Sequence, residues 1–231
     1  MDTARKTARI VGSLFLIAMV TSLVGGIWLE TMISAPDYLI TVSANQSQVI
    51  IGVLLELINC IAVVGIAVAM FPIFRQQNEA LALGYVALRI IEGVILIAAV
   101  ISPLLLIRLS LEYLSAGAPD ASTFQTSANL LLSARAYIAG LLVPIFFSLA
   151  ALVFYYLLYQ SILVPRFISI WGLIAVVLLL AWNLLETFGI SVPAGMIFGL
   201  PIILNEIFLG IWLIAKGFNP SAVNPGAVKQ I

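Results

Sequence analysis

The chain has no histidine and a single cysteine. The first absence excludes Ser-His and Cys-His nucleophile pairs, histidine zinc sites and histidine-ligated haem. The second excludes an intramolecular disulfide, and Cys60, in the middle of an apolar run, reads as a small packing residue. Charge is scarce as well: 9% of residues are charged, against about 25% in ordinary soluble domains. The net charge is zero, so no basic patch points to nucleic acid. Asp2, Asp37 and Asp120 all fall outside the apolar runs, which argues against a paired-aspartate intramembrane protease. Lys6, Lys216 and Lys229 stand at or beyond the ends of those runs, which excludes a Schiff base in the core. Neither a cofactor nor a metal is expected.

What the chain has in abundance is hydrophobic sequence, 63% of its 231 residues. That is the composition of an integral membrane protein. Runs of about 20 apolar residues suffice to cross a bilayer, and six are visible. The first covers residues 10–29, the second 47–74, the third 80–107 and the fourth 124–159. The fifth covers residues 166–188 and the sixth 196–215. The expected fold is all-α and polytopic: one six-helix transmembrane domain over residues 1–220 and a disordered cytoplasmic tail over 221–231. The first run is longer than the h-region of a signal peptide and no A-x-A site follows it, so it reads as a retained helix.

Six crossings put both termini on one side. Arg5, Lys6, Arg9, Arg75, Arg166, Lys216 and Lys229 share that side, opposed outside the spans by Arg108 alone. The positive-inside rule makes it the cytoplasm. The third and fourth runs are longer than a bilayer needs, which predicts strong tilt or a hairpin projecting outside. Pro144 is positioned to kink the fourth. Tyr155, Tyr156 and Tyr159 read as an interfacial belt. Lys216-Gly217 reads as a helix stop.

The polar residues inside the runs carry the functional signal. Arg89 and Glu92 are three apart, hence on one helix face, and so are Glu56 and Asn59, and Asn183 and Glu186. The sixth run holds Asn205 and Glu206, and Arg135 lies in the fourth. At 1.5 Å per residue, Arg89 and Glu206 come out about 13 and 15 Å from the inner ends of their helices, near the midplane of a core of about 30 Å. Glu56, Glu186 and Arg135 come out near the outer boundary. Charged groups at these depths face protein or water rather than acyl chains. The expected site is therefore a polar column of Glu56, Asn59, Arg89, Glu92, Arg135, Asn183, Glu186, Asn205 and Glu206, widest outside and ending near mid-membrane. Its four carboxylates outnumber its two guanidinium groups, so proton uptake, a bound cation or water is expected there.

Three readings of that column follow. In the first it binds or translocates a small solute or protons, with Arg89 as anion anchor and a glutamate as proton carrier. Six helices are few for a monomeric carrier, so that reading expects a homodimer. In the second the charges only lock helices together in a structural or partner-subunit membrane protein. The third is a glutamate-based intramembrane enzyme, for which no nucleophile or metal set is visible and no catalytic residue is assigned. Besides a solute or proton, the lipid bilayer is the partner expected.

Several stretches carry a resemblance: Ala87-Leu88-Arg89-Ile90-Ile91-Glu92, Pro165-Arg166 with Trp171-Gly172, and Asn205-Glu206 through Leu209-Gly210-Ile211-Trp212-Leu213 to Lys216-Gly217-Phe218-Asn219-Pro220. Together they resemble the bacterial six-helix membrane proteins grouped as domain of unknown function 4386, over about residues 5–220. The resemblance implies a bacterial inner membrane and adds no catalytic residue.

Overall fold

The computed structural model describes residues 3–117, 121–190, 192 and 195–223, and among these the chain is helical without a strand. The helices are α1 (Thr3–Ile33), α2 (Tyr38–Ala44), α3 (Gln46–Phe74), α4 (Glu79–Ala99), α5 (Ile101–Ser115), α6 (Ala121–Tyr137), α7 (Val143–Ser161), α8 (Arg166–Thr187), α9 (Leu200–Ala215) and the single turn α10 (Pro220–Val223). A π-helical turn, Ile138–Leu142, joins α6 to α7, and a 3₁₀ turn, Gly195–Gly199, leads into α9. Six helices among the described residues are long and apolar enough to cross a membrane, with α4–α5 and α6–α7 each counting as one. This is a multi-pass membrane protein. The expected tail falls on α10 and on residues 224–231, and the latter lie outside the described residues.

The six spans close into a ring. Helix α1 packs on α3, α3 on α4, α4 on α7, α7 on α8, α8 on α9, and α9 returns to α1. A ring gives every span an outer face and an inner face. The outer faces carry large exposed apolar side chains, among them Val20, Ile61, Val94, Leu149, Ile174 and Ile211. Such exposure suits acyl chains and would be costly in water. The inner faces collect the polar residues, because a charge turned to lipid has no partner.

Close approach within the ring depends on glycine. A Cβ on Gly12 of α1 would sit 2.6 Å from the carbonyl oxygen of Gly210 on α9. One on Gly25 would sit 2.8 Å from Cβ of Leu55 on α3. Gly172 of α8 leaves room for the ring of Tyr155 on α7. Tyr155 is thus fully buried and is not part of an interfacial belt: successive helix residues point about 100° apart, so only Tyr156 and Tyr159 face outward. Gly217, at φ +77°, ends α9 in the left-handed conformation open to glycine. Beyond it Asn219 donates its backbone N–H to the Leu163 carbonyl at 2.8 Å, tying the chain end to the α7–α8 turn.

One difference from the sequence reading and one agreement with it lie on the face away from the termini. The connection after the first span is not a plain loop: α1 continues to Ile33 and α2 follows it. The overlong spans do form a hairpin, with α5 against α6 and α2 packed on α5. Its core includes Leu39, Val42, Leu106 and Ala128.

Gly12→Ala forces backbone apart at the α1–α9 crossing, and a loss of about 1–3 kcal/mol is expected. Gly26, whose Cβ would meet nothing within 4 Å, serves as the control. Gly26→Ala should leave thermal unfolding in detergent unchanged or slightly raised. Equal melting of the two variants would contradict the packing described.

Candidate functional site: two charge clusters and an intramembrane cavity

Two charge clusters lie inside the ring, one above the other. The first is built on Arg135, near the C-terminal end of α6. Its Nε donates to Glu30 Oε1 at 2.9 Å, Nη2 to Glu56 Oε1 at 2.7 Å, and Nη1 to both Glu56 Oε2 at 3.3 Å and the Ala99 carbonyl at 3.2 Å. That carbonyl is available for a local reason. Pro103, four residues on, has no N–H to give it, and the helix breaks between Ala99 and Ile101. One guanidinium thereby joins α1, α3, α4 and α6. Arg135 is buried, while the Glu30 side chain is 53% exposed and marks the mouth of a vestibule of about 690 Å³.

The second cluster lies deeper. Arg89 and Glu92 point inward from α4, while Ile90, Ile91 and Val94 of the same turns point out. Nη1 of Arg89 donates to both carboxylate oxygens of Glu92, at 2.8 and 3.1 Å. The guanidinium carbon lies 5.2 Å from the ring centre of Phe147 and 5.6 Å from that of Tyr85, a distance at which aromatic faces attract cations. The pair is almost wholly buried. Glu206 of α9 stands within electrostatic reach of both Arg89 and Glu92, yet makes no hydrogen bond or ion pair among the described residues. Arg89 Nε and the hydroxyls of Tyr85 and Tyr155 are also buried without a hydrogen-bond partner among them.

Arg89, Glu92 and Glu206 border a cavity of about 410 Å³ to which all six spans contribute. Its polar lining comprises Ser22, Asn59, Arg89, Glu92, Asn183 and Glu206. Its apolar lining includes Phe15, Val63, Ile66, Phe147, Leu179 and Trp182. Towards the turn at residues 75–78, aromatic rings close it. Phe154 packs, tilted or edge-on, against Phe15, Phe74, Tyr85 and Tyr155 at centroid distances of 5.2–5.6 Å. In the other direction Gly140 of the π-helical turn lines both cavity and vestibule.

The family model for domain of unknown function 4386 matches residues 10–217, most of the chain. The chain belongs to that family. No curated protein and no solved structure matches it. The DUF4386 match spans the whole helical ring and both clusters, from α1 to the stop after α9.

Of the nine residues expected in one polar column, five line the cavity of this DUF4386 protein: Asn59, Arg89, Glu92, Asn183 and Glu206. Glu56 and Arg135 belong to the separate outer cluster. Glu186 is exposed at the end of α8 and accepts from Trp182 Nε1 at 3.2 Å. Asn205 is buried between α8 and α9, where its Nδ2 donates to the Ile168 carbonyl at 3.0 Å. Glu30, Tyr85 and Trp182 were not expected at the site, and Tyr155 was read as part of an interfacial belt. Glu30 ends the first apolar run at the same outer level as Arg135, which is a usable signal. The tyrosines and Trp182 are ordinary in an apolar span, and nothing local separates them from packing.

Arg135→Met leaves the Glu56 carboxylate buried without a cation, for which a loss of about 3–5 kcal/mol is expected. Glu30→Gln touches a half-exposed partner and should cost under about 1 kcal/mol. The double variant Arg135→Met/Glu56→Met should recover much of the loss. Thermal unfolding in lipid nanodiscs reads all three, and an unaltered melt for Arg135→Met would remove the outer cluster's role as a helix tie.

Proposed function

We propose that this protein binds a small solute, or exchanges protons, in the cavity at the centre of the ring, and that Glu206 is the group through which it does so. One observation carries the reading: a carboxylate about 15 Å from its helix end, near mid-membrane, faces a cavity and ties no helix to another. Charges at that depth are costly. A side chain serving packing alone would be replaced by an aliphatic one with no loss. Glu206 is therefore best explained by what it takes up.

The chemistry of the neighbours limits what that is. Arg89 is held by both oxygens of Glu92, so its charge is already balanced and it is a poor anchor for a further anion. Its guanidinium is instead paired with Glu92, and Glu206 is then the carboxylate of the cluster without a cation bonded to it. Taking up a proton or a cation neutralises it. The cavity is complete within one chain, so this reading does not require the homodimer. A glutamate-based enzyme is less well supported. The hydroxyl in the lining, Ser22, donates to the Met19 carbonyl and has no base beside it. The alternative of a wholly structural set of charges draws its support from the outer cluster, where Arg135 does tie helices. The weight of Lys and Arg on the terminal side supports an orientation with both termini in the cytoplasm. Family resemblance supports the inner membrane of a bacterium.

Glu206→Gln separates the two readings. With Glu206 as a binding group, the variant should melt at or above the wild-type temperature, because an uncompensated charge has been removed. The wild-type protein should also show an infrared band of a protonated carboxyl that grows as pH falls and is missing from the variant. A variant that melts lower, with no titrating band in the wild type, would leave Glu206 as a structural counter-ion.

A further inference from the structure

We propose that the ligand of the Glu206 cavity is a small organic cation, and that it reaches the cavity from the Arg135 vestibule past Gly140. This rests on the reading of the cavity as a binding site and adds the charge class of the occupant and its route.

The charge class follows from both clusters. Around Arg135 stand two carboxylates, Glu30 and Glu56, against one guanidinium. Around Arg89 stand Glu92 and Glu206, again two against one. Each station carries one surplus negative charge when its groups are ionised. An anion would meet that surplus twice, in a low-dielectric setting where like charges repel strongly. A cation meets the half-exposed Glu30 first and Glu206 last. The organic character follows from the walls. A cavity of about 410 Å³ falls in the range of small-molecule sites and far exceeds a bare ion. Phe15, Val63, Ile66, Leu179 and Trp182 offer apolar surface. Of the aromatic lining, Phe147 already carries the Arg89 guanidinium, whereas Trp182 is the aromatic ring left to meet a ligand cation.

The route follows from the π-helical turn. Pro144 has no N–H for the carbonyl of Gly140, and the helix widens to i→i+5 bonding there, with Val143 N–H donating to the Ile138 carbonyl. Such single-turn π segments recur at functional sites. Gly140 borders vestibule and cavity alike. A Cβ built on it meets no atom within 4 Å, so a side chain there would project into open space rather than into a neighbouring helix. Glycine keeps the connection clear.

The test uses the full chain in lipid nanodiscs with tetraethylammonium and benzylamine as cationic probes, and benzoate and benzyl alcohol as anionic and neutral controls. Saturable binding of a cationic probe is expected, about tenfold or more weaker in Glu206→Gln, with no binding of benzoate. Gly140→Trp should slow binding without lowering the melting temperature. In a Cys60→Ala/Gly140→Cys protein, a membrane-impermeant thiol reagent should label position 140, and the cationic probe should protect it. Glu206-dependent binding of benzoate or benzyl alcohol would overturn the cationic class while leaving the cavity as a site. A titrating Glu206 with neither cation bound would overturn this proposal and leave proton exchange. No labelling at position 140, or wild-type binding rates in Gly140→Trp, would overturn the route.

Discussion

Everything in this fold depends on where a lipid-embedded helix can send a charged side chain. Arg89 and Glu92 are three residues apart on α4, and a bilayer offers neither of them a partner. Their helix face must therefore turn inward, and that fixes the rotation of α4 about its own axis. The same requirement fixes α3 through Glu56, α6 through Arg135 and α9 through Glu206. Once four spans are oriented by their charges, aliphatic side chains take the remaining outward positions, and the ring closes around a polar interior. The hydrophobic effect inserts these helices. It does not choose their rotation, because lipid is as apolar as leucine.

The closeness of the ring is set by residues with almost no side chain, and its openings by residues with no N–H. Gly12 against Gly210 and Gly25 against α3 bring helices near enough for dispersion contacts to accumulate. Pro103 and Pro144 act in the opposite sense. Each leaves a carbonyl one turn earlier without its usual donor. At Ala99 that carbonyl becomes a ligand for Arg135. At Gly140 the helix widens instead. Of these two prolines one supplies an acceptor and the other a gap.

The order of the charges along each span was legible in the sequence, because a helix keeps sequence order along its axis. So were the inward face of α4, the α5–α6 hairpin and the stop at Lys216-Gly217. Azimuth was not legible. Glu56 and Asn59 share a face and a run, yet Glu56 reaches Arg135 while Asn59 lines the cavity below. The difference lies in which neighbour stands beside each turn. Glu186 is exposed at the end of α8 and does not line the cavity. Tyr155 sits next to Tyr156 in the chain and points into the core because Gly172, on another helix, makes room for it. Sequence spacing within one helix fixes which residues travel together. The partner across the ring decides what they meet.

The two clusters differ in how completely their bonding capacity is used, and that difference bears on their roles. At Arg135 all three guanidinium nitrogens donate, and the four helices they join share one set of bonds. At Arg89 a single nitrogen serves Glu92. Arg89 Nε and the hydroxyls of Tyr85 and Tyr155 are buried without a hydrogen-bond partner among the described residues, and the Glu206 carboxylate faces the cavity. Buried polar groups left in that condition cost stability, and protein interiors rarely keep them without cause. The outer cluster has the character of a fastening. The inner one leaves a carboxylate, Glu206, facing a cavity without a cation bonded to it.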